Sequence, residues 1–144
     1  MSRVLCVRAG GLGDVLLLRQ AVATLRAGGH SVWLLAPERH ASALLGSDGV
    51  ERVIDWESVG VASLLAGRSS SLAKSIRTCA AAIVYSASTE VARGIAALVP
   101  NTICHGPVPL AAEHAATWYT RPALALAPLA VDPPTCQATP DPSN

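Results

Sequence analysis

Residues 4–18 read Val4-Leu5-Cys6-Val7-Arg8-Ala9-Gly10-Gly11-Leu12-Gly13-Asp14-Val15-Leu16-Leu17-Leu18: an apolar run, a glycine turn, then an acid opening a second apolar run. That order predicts a buried parallel strand, a tight turn and a helix. The strand would end where its backbone meets solvent, and the helix would begin with free N–H groups, so the turn between them is a ready place for a ligand. Gly10, Gly11 and Gly13 suit a turn that other residues would strain. Asp14 stands at the junction and has two possible roles: it can cap the helix, or face the crevice above the sheet and act as a base.

The turn is not a phosphate loop. Gly11-Leu12-Gly13 supplies part of a dinucleotide fingerprint, but Leu16 stands where a third glycine would let helix and strand pack closely. No Lys-Ser or Lys-Thr follows the glycines, which excludes a Walker loop. An acid at the helix start would also repel a pyrophosphate seated on its N–H groups. A neutral hydroxyl is the better guest.

Beyond the turn, apolar runs alternate with stretches of helical period. Strands are expected at residues 4–7, 32–35, 50–54, 81–85 and 102–104. Helices are expected at residues 15–25, 38–45 after Pro37, 59–77 (one long or two broken around residues 67–71), 88–99 and 109–119. Ser88, Thr89 and Glu90 supply a cap and a first-turn acid for the fourth. Strands alternating with helices imply right-handed crossovers and a mostly parallel sheet, that is, an α/β Rossmann-like three-layer αβα domain. Pro122, Pro128, Pro133, Pro134, Pro140 and Pro142 change the character of the chain. The expected division is a domain over residues 1–121 and a Pro-rich linker or tail over residues 122–144.

Composition agrees with one two-sided core. The 144 residues are 51% hydrophobic and 15% charged, which suits a sheet covered on both faces. No run approaches the roughly 18–20 apolar residues of a membrane span, and the N-terminus is no signal peptide, since Arg8 follows only four apolar residues. A cytoplasmic protein is expected. A net charge of +1 with no Phe, two Tyr and three Trp offers neither the field nor the stacking platforms for nucleic acid. Cys6, Cys79, Cys104 and Cys136 lack Cys-x-x-Cys spacing, so reduced, mostly buried thiols are expected and no metal site. His30, His40 and His114 show no ligand spacing and read as surface or packing residues, and Trp33 and Trp56 as core or loop anchors.

Two further residues are candidates for the same rim as the turn. Arg8, at the end of the first strand, could reach an acceptor phosphate or carboxylate with its planar fork, or fix a neighbouring loop. His105, beside Gly106 at the end of the fifth strand, could bind substrate or be a plain loop histidine.

Residues 4–17, with 22–25, 32–35 and 50–54, resemble the N-terminal half of glycosyltransferase family 9, the heptosyltransferase family of lipopolysaccharide core assembly. Residues 81–106 fit the family's later βαβ unit in order and spacing. The resemblance implies the first half of a GT-B architecture, two Rossmann-like halves facing across a cleft, the first taking the acceptor and the second the nucleotide-sugar donor. It implies that Asp14, in Gly13-Asp14, is the base that deprotonates an acceptor hydroxyl for inverting attack on the donor's anomeric carbon, with no metal and no cofactor of its own. Arg8, Gly10, Gly11, Gly13 and His105 would then bind the acceptor.

The implied partners are a glycan or lipid-linked acceptor and a donor-binding half supplied in cis or in trans, without which the chain is expected to be inactive. The family's lipid-linked acceptors also imply peripheral contact with the inner face of the membrane. The chain departs from the family at Arg19-Gln20, where a Thr-Pro pair is usual, and at Tyr85-Ser86-Ala87-Ser88, where an Asp-x-Gln-Gly turn is usual. Only Arg68, Lys74 and Arg77 stand where several basic residues hold an acidic acceptor. A non-catalytic Rossmann-like binding module or partner subunit is the alternative reading. A nucleotide binder is disfavoured, because Leu35-Ala36-Pro37 occupies the place of a ribose-binding acid.

Overall fold

A computed structural model describes residues 2–8, 15–46, 49–58, 61–62, 66–67, 70–86, 88–105 and 115–126. Among these, five strands form one parallel sheet: β1 (Arg3–Val7), β2 (Ser31–Ala36), β3 (Arg52–Asp55), β4 (Ala81–Tyr85) and β5 (Thr102–His105), in the order β3-β2-β1-β4-β5. The helices are α1 (Arg19–Ala27), α2 (Glu38–Ala41), which runs into a 3₁₀ turn at Ser42–Leu44, α3 (Ser71–Ile76), α4 (Thr89–Ala96) and α5 (Ala115–Leu126). All five expected strands form, each within two residues of its expected ends.

The register aligns Val7 of β1 with Leu35 of β2 and Val84 of β4, so the strand ends lie level along one edge. Strand alternation sends Val4, Cys6, Val32, Leu34, Ile83 and Tyr85 to one face, where Leu18, Val22 and Leu25 of the α1 region and Trp118, Ala123 and Leu126 of α5 cover them. Leu5, Val7, Leu35, Ala82 and Val84 point to the other face, under Ile76 of the α3 region and Val91 and Ile95 of α4. Each fully buried Leu or Ile contributes about 1.5–3 kcal/mol, so this two-sided core dominates the stability. No helix among the described residues is long and apolar enough to cross a membrane.

Two elements differ from the sequence expectation, the start of α1 and the end of the domain. Val15 and Leu16 are helical, as expected, but a turn at residues 17–18, with the Leu18 N–H donating to the Val15 carbonyl at 3.0 Å, interrupts the helix before α1 runs on from Arg19. No side chain caps it at Leu18. Around residues 59–77, Val61 and Ala62 are helical and α3 follows the break, begun by Ser70, whose Oγ accepts the Ala73 N–H at 3.1 Å, in keeping with two helices broken around residues 67–71.

At the other end of the chain, α5 passes straight through the expected boundary at 121/122 and holds Pro122 inside it, with Ala123 and Leu126 buried against the sheet. Residues 122–126 therefore belong to the packed domain. Residues 127–144, the rest of the expected tail, lie outside the described residues.

Candidate functional site at the C-terminal edge of the sheet

Connections leave β1 and β4 in opposite directions. From β1 the chain crosses by α1 to β2 on one face; from β4 it crosses by α4 to β5 on the other. The two neighbouring strand ends therefore have connections that part, and in a parallel α/β sheet that parting leaves the crevice where ligands bind. The C-terminal ends of β1 and β4 are its two lips.

On the β1 lip, Arg8 extends the strand by one residue, its N–H donating to the Leu35 carbonyl at 3.0 Å, and the residue is buried, with 8% of its surface exposed. Val15, fully buried against the sheet, resumes the chain. Arg8 and Val15 thus bracket the glycine turn. Gly10, Gly11, Gly13 and Asp14 themselves lie outside the described residues.

On the β4 lip, Tyr85 is fully buried and Ser86 follows it half-buried, its Oγ accepting the Ser88 N–H at 3.0 Å. Ser88 in turn caps α4, its Oγ accepting the Val91 N–H at 3.4 Å. Sequence reasoning gave Ser88 only its cap and Ser86 no role. Their place beside the end of β1 depends on β4 inserting next to β1, which strand count alone does not specify. The available signal was the polar run directly after an apolar strand.

His105 ends β5, beside Tyr85 in register and two strands from β1, roughly 10 Å across the sheet at normal strand spacing. Its ring stands edge-on to Tyr85, centroids 5.8 Å apart at 89°, and is stacked on Trp118 of α5 at 4.1 Å and 30°. Nε2 lies 2.7 Å from the Trp118 carbonyl oxygen. A carbonyl only accepts, so Nε2 carries the proton. At the opposite end of the edge, Asp55 closes β3, its Oδ1 accepting the Glu38 N–H at 3.0 Å and the Glu57 N–H at 3.4 Å, beside an exposed Arg39–Glu57 pair at 2.9 Å. That carboxylate holds the start of α2 and is engaged in structure.

The Cys6 and Cys79 thiols lie within the core. Cys6, Cys79 and Cys104 are free cysteines. Burial pushes the Cys6 thiol up to about 12, with nearby Cys79 adding to the rise, and the Cys79 thiol up to about 11, against the pull of the Arg3 and Arg52 guanidinium groups. Both are therefore protonated and unreactive at neutral pH. Cys104, on the edge strand, is exposed, and the thiols of the described residues are mostly buried, as expected. Among the described residues no cluster of His, Cys, Asp or Glu could hold a metal ion.

No protein-family model matches the chain, and no curated protein does. Solved structures do. The Escherichia coli heptosyltransferase WaaC with ADP superposes with a TM-score of 0.59 at 20% identity, over 94% of this chain and 50% of that one. The same enzyme with ADP-2-deoxy-2-fluoro heptose gives 0.58 at 20% identity, over 93% and 50%. The family 9 glycosyl transferase of Veillonella parvula gives 0.64 at 15% identity, over 83% and 40%. The chain thus spans half or less of the length of each structure it matches. What these identities establish is the fold: the chain has the Rossmann-like α/β architecture of one half of a GT-B glycosyltransferase, the half-fold that the sequence resemblance implied.

Proposed function

We propose that this chain is the acceptor-side half of a glycosyltransferase similar to the heptosyltransferases, working with a donor-binding half supplied in cis or in trans. The observation that carries the proposal is the strand order. It sets the end of β1, after which the sequence runs on to Gly-Gly-Leu-Gly-Asp, at the switch point of a sheet that superposes on such enzymes. A sugar hydroxyl is a poor nucleophile until its proton has somewhere to go. In this reading the Asp14 carboxylate takes that proton as the oxygen attacks the anomeric carbon of a nucleotide sugar from the face opposite the leaving group. The new glycosidic bond forms with inversion as the nucleotide departs with the electron pair of the broken bond. A positioned carboxylate base is worth roughly 10²–10⁴-fold.

Arg8 supplies a guanidinium on the β1 lip, suited to an acceptor phosphate or carboxylate, and the glycines let the acceptor approach the backbone closely. His105, its ring oriented by Trp118 and Tyr85, forms the far wall of the acceptor site. Lipopolysaccharide assembly at the inner face of the membrane is the setting this reading favours, with a lipid-linked glycan as acceptor and no cofactor held by this half.

The experiment is reconstitution: the chain, a separately produced donor-binding half, a nucleotide heptose and a lipid-linked acceptor, with transfer followed by product mass. Transfer is expected only with both halves present, and Asp14→Asn is expected to lower it by roughly 10²–10⁴-fold. Transfer indifferent to that substitution removes the base. Acceptor binding without transfer in any combination would favour a non-catalytic binding module instead.

A further inference from the structure

Pro122 and His105 form a matched pair. In a regular helix the N–H of residue 122 would donate to the carbonyl of residue 118; proline has no N–H, and its ring crowds that carbonyl as well. The carbonyl of Trp118 therefore lacks its ordinary helical donor. This is the oxygen that His105 meets, with Nε2 at 2.7 Å and its ring stacked on the indole of the same residue. Trp118 is 7% exposed and Pro122 is buried, so water is a poor substitute.

We infer that His105 is a positioning residue, its Nε2–H the donor that Pro122 makes necessary. Together they clasp the middle of α5 to the β4–β5 end of the sheet. The clasp has a direction of action. The His105 ring rests against Tyr85, and Tyr85 leads directly into Ser86 and the capped start of α4, the second lip of the crevice. A displacement of α5 is thus handed to that lip through two ring contacts and one hydrogen bond. The inference does not depend on sugar transfer, because it concerns only how α5 is tied to the sheet edge.

A double-mutant cycle on the full chain tests it. With Pro122 present, His105→Phe keeps a stacking ring but removes the donor, and is expected to lower the folded-to-unfolded ratio about tenfold and to shift the Tyr85, Ser86 and Ser88 amide resonances. With Pro122→Ala, the helix supplies its own N–H to the carbonyl of Trp118, and the same His105→Phe change is expected to lower the ratio far less. His105→Gln, which retains an N–H, is expected to recover part of the loss. Should His105→Phe alone fail to fold, folding of the double variant with Pro122→Ala supports the pairing, and failure of both overturns it. Independently, ¹⁵N ring shifts of the unmodified protein are expected to show the Nε2–H tautomer at neutral pH. Equal effects of His105→Phe with and without Pro122→Ala, or an Nδ1–H tautomer, overturn the inference.

Discussion

The two faces of the sheet are held by different means. On the face covered by α3 and α4, each helix starts at a serine whose Oγ accepts an N–H three residues on, Ser70 for α3 and Ser88 for α4. Their starts are fixed locally. On the face covered by α1 and α5, α1 starts at Leu18 without a side-chain cap, and α5 is fastened from afar by two histidines. His105 reaches the Trp118 carbonyl, and His30, 96 residues away in sequence, places Nε2 at 3.0 Å from the Leu126 carbonyl.

His30 is put there by the end of α1. Gly29 adopts φ 91°, the left-handed conformation glycine tolerates, and the His30 N–H turns back to the Leu25 carbonyl at 3.0 Å while the Gly29 N–H bonds Arg26 at 3.0 Å. This is a Schellman ending. It buries His30 with 3% of its surface exposed beneath the last turn of α5. The lesson is that one face assembles from short-range signals, whereas the other acquires its outer helix only once distant parts of the chain have met.

The strongest way to break this comparison is to remove core from each face. Leu25→Ala under α1 and Ile95→Ala under α4, both fully buried, should each destabilise by about 2–5 kcal/mol in urea unfolding. The distinction lies in what loosens. Hydrogen exchange should quicken in α5 as well as α1 after Leu25→Ala, whereas Ile95→Ala should leave α5 protected. Exchange spread alike over both faces in the two variants refutes a difference in how they are held.

Next in size is His30→Leu, which fills the site but leaves the Leu126 carbonyl without its imidazole donor. A loss of about 1–3 kcal/mol is expected, read from thermal melting. The loss should be accompanied by fraying of the last turn of α5 alone, seen in its amide exchange.

A smaller effect separates the faces by pH. Cys6 points to the α1–α5 face and Cys79 to the other. The ordinary value of each thiol is 9.0, and burial carries Cys6 to about 12 and Cys79 to about 11 in the folded chain. The unfolded chain therefore releases these protons from pH 9 upward while the folded chain keeps them. Each thiol's contribution is whole below pH 9 and declines from there towards its folded value, by about 1.4 kcal/mol for each pH unit. Urea unfolding from pH 8 to 10.5 should show Cys6→Ala flattening this decline. Cys79→Ala should match it at first, then fall short as its lower limit nears. An unchanged slope in Cys6→Ala counts against burial of the charged form as the cause.

How much was legible in the sequence follows the same division. Val4–Val7 and Ala81–Tyr85 are apolar runs too short for helices, and both form central strands because each is buried on two faces. Ser88 marks the start of α4 because a cap acts within three residues. Pro122 misled, since a proline removes a helical donor and argues for a boundary. The donor came instead from His105, a tertiary contact that no local window contains, and burial of Ala123 and Leu126 favoured carrying the helix on. At the start of α1, leucines at 16, 17 and 18 promise an unbroken helix from residue 15; Val15 and Leu16 are helical, but a turn at residues 17–18 comes before Arg19. At the site, Arg8 was visible because it follows a strand. Ser86 was not, because only the strand order brings the end of β4 beside the end of β1.

The finest test compares the two serine caps. Ser70 and Ser88 make the same kind of bond, at 3.1 Å and 3.4 Å, so Ser70→Ala should destabilise by about 1 kcal/mol and Ser88→Ala by less. Glu90 in the first turn of α4 reinforces this order, since a negative charge there favours the helix dipole and remains after Ser88 is truncated. In both variants Gly in place of Ala should recover most of the loss, because a cap position asks for an extended backbone that glycine adopts readily. If the caps are local devices, neither change should alter amide exchange in α5. If Ser88→Ala loosens α5 while Ser70→Ala does not, the β4 lip and α5 share one mechanical unit, joined through Tyr85 and His105, and the separation of the two faces holds only away from the crevice.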